Sequence, residues 1–380
     1  MEFEFATAAR IVFGRGVRAQ IPALAQPYGR KPFLIGGGNR DRVQWLLDAL
    51  NHPADFSVAG EPTVELIRDG VRQAREAQCD LVIGIGGGSV IDAAKAIAAL
   101  VPNSGEPLDY LEGIGKGKSL ENPPLPAIAV PTTAGTGSEV TRNAVLGSPE
   151  HGVKASLRSP SMLPRMAVVD PELAVDVPPS VTATTGLDAI TQLIEPYVSV
   201  RANPITDGLC LEGLRRAGKA LGKACTDGHD LDARTEMAAA SLLGGLALAN
   251  AGLGVVHGFA APLGGMYNAP HGALCAAVLP YGITGNIQAL RSREPDGPAL
   301  RRYITMARLV TGDTNASAER LGDWVRGLCR SLKVPTLRHY GIEVGQAAAI
   351  VEKAAASSSM KANPVVLTPE ELTRILTAAL

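Results

Sequence analysis

The apolar rhythm of this 380-residue chain changes once, at the prolines Pro178 and Pro179. That single change limits the folds open to it. Upstream, short apolar runs alternate with amphipathic stretches. PFLIG (32–36) and DFSVAG read as strands, RVQWLLDAL (42–50) and VELIRDGVRQAREA as helices. DLVIGIGG is a strand running straight into the helix VIDAAKAIAAL, PAIAVPTT (126–133) is another strand, and MAVVDPEL is the last of this half. The stretch 154–179 is proline-rich and extended. Strands alternating with helices predict a mostly parallel sheet covered on both faces. Downstream, apolar residues recur every three or four positions in Ala/Leu/Gly-rich segments, which predicts an all-helical region. The expected organisation is an α/β domain over 1–179 and an all-α domain over 180–380, with the boundary at consecutive prolines that continue neither strand nor helix. RSREPDGPAL (291–300) reads as a polar surface loop.

Composition narrows the function class. A formal net charge of −1 gives no electrostatic reason to expect nucleic acid or an anionic membrane as partner. The N-terminus, MEFEFATAARIVFGRG, does not read as a signal peptide, and no charge-free run approaching eighteen apolar residues stands out, so no membrane span is expected. The five cysteines, Cys79, Cys210, Cys225, Cys275 and Cys329, are odd in number and lack a CxxC. They read as buried small hydrophobes in a reducing compartment, and the expected location is the cytoplasm.

Two loops at the ends of predicted strands suit an extended nucleotide. In GIGGGSVIDAAKAIA (84–98), Gly86, Gly87 and Gly88 let the backbone approach a pyrophosphate, and the helix start at Ser89 offers free N–H groups and a positive dipole end. Asp92, on that helix, joins the candidate set. The loop is neither GxGxxG nor GxxxxGK[ST], and a purely structural turn is its other reading. In PTTAGTGSEVT (131–141), Thr132, Thr133, Thr136, Gly137 and Ser138 stand where an α/β sheet places its ligand, with hydroxyls suited to a ribose or carboxamide. Here the competing reading is a helix-capping segment.

The second half carries a metal-like constellation. His257 and His271 flank a break read as a Gly-Gly-Met-Tyr-Asn-Ala-Pro turn, which folds one helix back on the next. In TTGLDAITQLIE, Asp188 and Gln192 stand at i and i+4 on one helix face. An aspartate buried in so apolar a helix needs a partner or a cation. Asp188, His257 and His271 together suit zinc or ferrous iron and leave a position open for substrate. Satisfied core histidines are the plainer alternative.

These motifs resemble the iron-containing (group III) alcohol dehydrogenases nearly end to end, from IVFGRG through GGGSVIDAAKAIA, PTTAGTGSEVT, VVDPEL, TGLDAITQLIE and HGFAAPLGGMYNAPHG to NPVVLTPEEL. The resemblance implies a Rossmann-like dinucleotide-binding domain, a helical domain, and cofactor and metal between them. It implies pyrophosphate contacts from Gly87, Gly88 and Ser89, ribose and nicotinamide contacts from Thr133 through Gly137, and a place for Lys154 near the cofactor. Asp188, His257 and His271 match three of the family's four metal ligands. Gln192 stands where the fourth, a histidine, is usual, and Ala261 where a further active-site histidine is usual. Glycerol dehydrogenases use one aspartate and two histidines, whereas maleylacetate reductases are thought to manage without metal.

After the first strand the chain reads GGGNR, with no carboxylate where NAD-preferring members often carry an aspartate. Gly37, Gly38, Asn39 and Arg40 leave room for a 2′-phosphate, which favours NADP over NAD; a tight turn without discrimination is the other reading. Lys361, in SSSMKANPVVL, is placed to face an anionic substrate or else is a solvated surface lysine. The leading expectation is an NAD(P)-dependent alcohol dehydrogenase or aldehyde reductase using Fe2+ or Zn2+, homodimeric or larger as relatives commonly are. The rivals are a metal-independent keto-acid reductase, a lyase that recycles its dinucleotide, and a nucleotide-binding pseudoenzyme.

Overall fold

The computed structural model describes residues 2–267 and 269–380. Contacts divide it into two units, one of Ala6–Thr133 and Gly137–Val175, the other chiefly Asp176–Leu380 with Ala134–Thr136.

The first unit runs β1 (Ile11–Phe13), α1 (Ile21–Ala25), β2 (Pro32–Gly37), α2 (Asp41–Ala49), β3 (Ala54–Val58), α3 (Val64–Glu76), β4 (Leu81–Gly86), α4 (Gly88–Leu100), β5 (Ala127–Pro131), β6 (Asn143–Ser148), β7 (Val153–Arg158) and β8 (Met166–Val169). Six strands form one sheet in the order β1-β8-β5-β4-β2-β3, parallel throughout. Successive side chains point to opposite faces of a strand, so continuous apolar runs bury both. Phe33, Ile35 and Val82 pack with Ile67, Val71 and Ile97 on one face. Leu34, Leu81 and Ile83 pack with Ile21, Leu46 and Leu47 on the other. Each such side chain, fully buried, contributes about 1.5–3 kcal/mol.

Three parts of this unit differ from expectation. β1, only three residues long, pairs with β8 and gives too little pattern to read. The stretch expected to be simply extended contains β7, which forms an antiparallel hairpin with β6. β5 ends at Pro131, so Thr132 and Thr133 are loop.

The second unit is helical: α5 (Pro179–Val198), α6 (Pro204–Thr226), α7 (Leu231–Ala251), α8 (Val255–Met266), α9 (His271–Arg293), α10 (Pro298–Thr311), α11 (Glu319–Ser331), α12 (Ala347–Ala356) and α13 (Pro369–Ala379). Pro179 does not merely end the preceding segment; it opens α5, at a position where its missing N–H costs nothing. α5, α6 and α7 approach closely at Gly186, where a Cβ would run into Leu221 and lie 3.1 Å from Met237. The expected turn between the histidines is shorter than read, because Gly264, Gly265 and Met266 complete α8. Asn268, within that break, lies outside the described residues, as does Met1. The polar loop read at 291–300 likewise shrinks to Glu294–Gly297, with α9 running through Arg293. α9 is, by length and composition alone, apolar enough to cross a membrane. Most of it is buried in the helical core, as a central bundle helix requires.

Candidate functional site

α5 presents Asp188, Gln192 and Glu195 at i, i+4 and i+7, one face of the helix, and all three are buried. α8 adds His257 and α9 opens on His271, with Cys275 one turn later. The Nε2 of His257 lies 3.3 Å from Asp188 Oδ1, and that of His271 lies 3.9 Å from the same oxygen. The Cys275 sulfur is 3.6 Å from His271 Nε2. One donor atom from each of Asp188, His257, His271 and Cys275 lies within 4.8 Å of every other. The three donors read from sequence therefore converge, and a fourth side chain joins them.

The supporting bonds assign directions to this cluster. Glu195 Oε2 sits 2.7 Å from His257 Nδ1, and Glu195 Oε1 accepts the Val256 N–H at 2.6 Å. Asn363 Oδ1 accepts the neighbouring Val255 N–H at 3.0 Å. Two side chains thus satisfy N–H groups that an α-helix start leaves free, and they lock α8 in place. A carboxylate at Nδ1 keeps a proton there, so Nε2, beside Asp188, is the ring atom left to take either a second proton or a cation. Gly254 permits the approach, since a Cβ there would stand 3.0 Å from Glu195 Oε1 and 2.8 Å from Asn363 Oδ1.

Gln192 takes a different part from that of a ligand. Its Nε2 donates to Asp188 Oδ2 at 3.1 Å. Asp188 Oδ1, facing the imidazoles, and Gln192 Oε1 are buried acceptors without a hydrogen-bond partner. Leaving one such acceptor unpaired costs roughly 1–3 kcal/mol, which a cation at the centre of the cluster would offset for Asp188.

Electrostatics favour the same occupant. The Cys275 sulfur, with Asp188, outweighs burial and pushes the His271 imidazole up to about 9. For His257, burial opposes the charge most strongly. Cys275, Asp188 and Glu195 together nevertheless hold it well above the ordinary histidine value. Burial also opposes charge on Asp188, yet His271 and His257 keep its carboxyl below the usual range. A pocket that draws protons onto both imidazoles draws a divalent ion that displaces them.

In the α/β unit, β2 leads outward to β3, whereas β4 leads the other way to β5, so the strand order reverses between β2 and β4. The carboxyl ends of strands at such a reversal form the crevice where open α/β sheets bind ligands. The loops Gly37-Gly38-Asn39 and Gly86-Gly87-Gly88-Ser89 lie at those two ends. The glycines divide by role. A Cβ on Gly86 would stand 2.5 Å from Val90, so this glycine serves packing. A Cβ on Gly87 would meet nothing closer than Thr133 at 3.6 Å, so the bare backbone there leaves room for a ligand. α4 has no side-chain N-cap, as suits a helix start that receives an anion.

The remaining candidates are placed less uniformly. Asp92 and Ser138 bond each other at 2.5 Å, and Asp92 also accepts the Val145 N–H at 2.9 Å and pairs with the buried Lys95 at 3.0 Å. They hold the loop after β5 against α4. Thr132 and Thr133 are half-buried in the α/β unit, Thr136 groups with the helical unit, and Gly137 adopts a left-handed φ of 60°. Lys154 pairs with Glu61 at 3.2 Å. Asn39 accepts the Asp41 N–H, and Arg40 is paired with Asp55 at 2.9 Å. Lys361 is exposed, and Ala261 is exposed on α8.

Two residues of the cluster escaped the sequence reading, each with a usable signal. Glu195 stands seven residues after Asp188, on the same helix face. Cys275, buried as expected, stands four after His271 and brings its sulfur to the cluster as well. Cys79 and Cys210 are buried as expected, whereas Cys225 and Cys329 are only half-buried.

Comparison with known proteins places the chain. The family description "Iron-containing alcohol dehydrogenase" matches residues 8–171, and "Fe-containing alcohol dehydrogenase family, C-terminal" matches 182–380. Alcohol dehydrogenase 4 of Schizosaccharomyces pombe is 36% identical over 380 residues, covering 97% of this chain and 87% of its own. Long-chain-alcohol dehydrogenase 1 of Geobacillus thermodenitrificans is 46% identical over 290 residues, covering 72% of this chain and 73% of its own. A crystal structure of 1,3-propanediol oxidoreductase superposes with a TM-score of 0.90 at 31% identity, covering 100% of both chains. With both halves matched and a metal-like donor cluster at the positions the motifs mark, the chain belongs to the iron-containing alcohol dehydrogenase family, whose members are oxidoreductases acting on CH–OH groups.

Proposed function

We propose that this protein is an NAD(P)-dependent alcohol dehydrogenase or aldehyde reductase, with NADP(H) the favoured dinucleotide. The reaction is hydride transfer between nicotinamide C4 and the carbon of a small alcohol or aldehyde. The dehydrogenases named among its relatives act on long-chain alcohols and 1,3-propanediol, so a primary alcohol or its aldehyde is the expected substrate. Asp188, His257 and His271 would hold a divalent ion, which supplies Lewis-acid polarisation of the carbonyl oxygen when bound. Glu195 fixes the His257 tautomer, and Gln192 orients the Asp188 carboxylate. Gly87, Gly88 and Ser89 receive the pyrophosphate on open backbone. The GGGNR turn has no carboxylate to repel a 2′-phosphate, although Arg40 must share its charge with Asp55. Ala261 supplies no proton, so the alkoxide oxygen takes its proton from water or a cofactor hydroxyl.

The observation that carries this reading is the unpartnered Asp188 Oδ1 facing two imidazole nitrogens in a buried pocket. His257→Ala should abolish turnover while leaving NADPH affinity unchanged by fluorescence titration. An unchanged rate overturns the metal reading. In that event the glutamine at 192 favours the second reading, a metal-independent keto-acid reductase, recognised by activity that survives exhaustive chelation.

A further inference from the structure

We propose that the Cys275 sulfur, bound as a thiolate, is the fourth protein ligand of the divalent ion and makes the centre select zinc over iron. This rests on the metal reading of Asp188, His257 and His271 given above.

Three donors are one short of four protein ligands, and the cluster offers two side chains to supply the fourth, with the substrate oxygen then joining as a fifth ligand. Gln192 is committed to Asp188 through its amide nitrogen and offers only a neutral oxygen. Cys275 is fully buried within the apolar core of the helical unit, yet its sulfur also lies within 4.8 Å of donor atoms of Asp188, His257 and His271. His271 and Cys275 stand at i and i+4 on α9, so both point from one face of the same helix.

Three of the six donor–donor edges lie within about half an ångström of those of a tetrahedral centre, and all six are within 4.8 Å. Metal–sulfur bonds of about 2.3 Å and metal–nitrogen or –oxygen bonds of about 2.0–2.1 Å imply sulfur–nitrogen edges of about 3.6 Å and nitrogen–oxygen edges of about 3.4 Å. The observed Cys275–His271 separation is 3.6 Å, and the histidine–Asp188 separations are 3.3 and 3.9 Å. On binding, the metal–sulfur bond replaces S–H and the proton leaves to solvent, with no change of oxidation state. One soft sulfur among imidazoles suits zinc better than ferrous iron.

The test is reconstitution of the full-length, chelator-stripped protein with cobalt(II). A thiolate ligand gives a sulfur-to-cobalt charge-transfer band in the near ultraviolet, and imidazole and carboxylate ligands give only visible ligand-field bands. The expected result is both sets in the native chain, loss of the ultraviolet band alone in Cys275→Ser, and zinc affinity at least about tenfold weaker in that variant. Because the native spectrum is informative by itself, the proposal does not depend on the variant folding. Ligand-field bands without charge transfer overturn the role of Cys275 and leave the three-ligand reading standing. Absence of cobalt uptake overturns both. A stripped protein that takes up ferrous iron in preference to zinc overturns the selectivity.

Discussion

At the scale of single residues, the site is a hierarchy in which some side chains donate to the centre and others aim them. Glu195 is the clearest positioning residue, because its two oxygens fix both the His257 ring and the start of the helix that carries it. Glu195→Gln preserves size but removes the carboxylate that accepts the Nδ1 proton. The variant should bind zinc about 10–100-fold more weakly, as loss of a supporting carboxylate does elsewhere. Isothermal titration checks this, and unchanged affinity would mean that Glu195 serves only to cap α8. The glycines of the phosphate loop offer a paired prediction. Gly87→Ala adds a methyl where nothing crowds it, so unfolding stability should stay within about 0.5 kcal/mol while NADPH affinity falls. Gly86→Ala forces a methyl against Val90 and should cost about 1–3 kcal/mol of stability. Denaturant unfolding and fluorescence titration separate the two effects, and equal behaviour of the two variants would deny the assigned roles. Asp188, His257 and His271 are legible in sequence because polar residues in strongly apolar helices are costly and call for a partner. Glu195 and Cys275 are easily passed over despite their spacing, because a glutamate on a helix ordinarily faces water and a lone cysteine ordinarily passes for a small hydrophobe.

At the scale of elements, the loop after β5 is fastened to α4 by buried charge. Lys95 Nζ bonds the Ser138 carbonyl at 3.0 Å and the Thr141 hydroxyl at 2.9 Å and pairs with Asp92, while Glu139 is buried on the same short turn. Burial dominates over the attraction of Lys95 and pushes the Glu139 carboxyl up to about 7 from an ordinary 4.5. Between those values the folded protein keeps a proton that the unfolded chain has released. Stability from this group is therefore complete below 4.5 and is lost as pH rises through 7. The loss amounts to at most about 3 kcal/mol. Glu139→Gln removes the titration, so the variant should gain stability relative to the native chain on passing from about pH 5 to about pH 8. Urea unfolding at both pH values measures it, and parallel curves would show that Glu139 is not buried as a neutral acid. Element type is well announced by period here, since runs such as LVIGIG and stripes such as VELIRDGVRQARE differ in both length and spacing. Pairing is not. β1 depends on β8, a partner far along the chain that no local window contains, and the β6–β7 hairpin pairs locally but across a turn without an Asn-Gly or Asp-Gly signal.

At the scale of the whole molecule, the two functions fall on different units. The proposed metal donors Asp188, His257, His271 and Cys275 all belong to the helical unit, whereas the proposed dinucleotide contacts Gly37, Gly38 and Gly86 through Ser89 belong to the α/β unit. The split of family matches, 8–171 and 182–380, follows the same line. The change of rhythm at the two prolines announces it in sequence because the units use different periodicities to bury their cores. Ligand linkage should then be local. A metal ion at a thousandfold excess over its Kd stabilises the folded state by about 4 kcal/mol. That gain should appear as slowed amide exchange in α5, α8 and α9, whose side chains it ties together, and not in β4 and α4. NADPH should do the reverse, slowing exchange at the start of α4. Chelator-stripped protein should accordingly lose turnover yet titrate with NADPH as the loaded protein does. If stripping the metal instead abolished dinucleotide binding, or loosened β4 and α4 as much as α8, the division of labour between the units would be wrong. The metal would then have to be counted as a part of the dinucleotide site rather than of the carbonyl-polarising site alone.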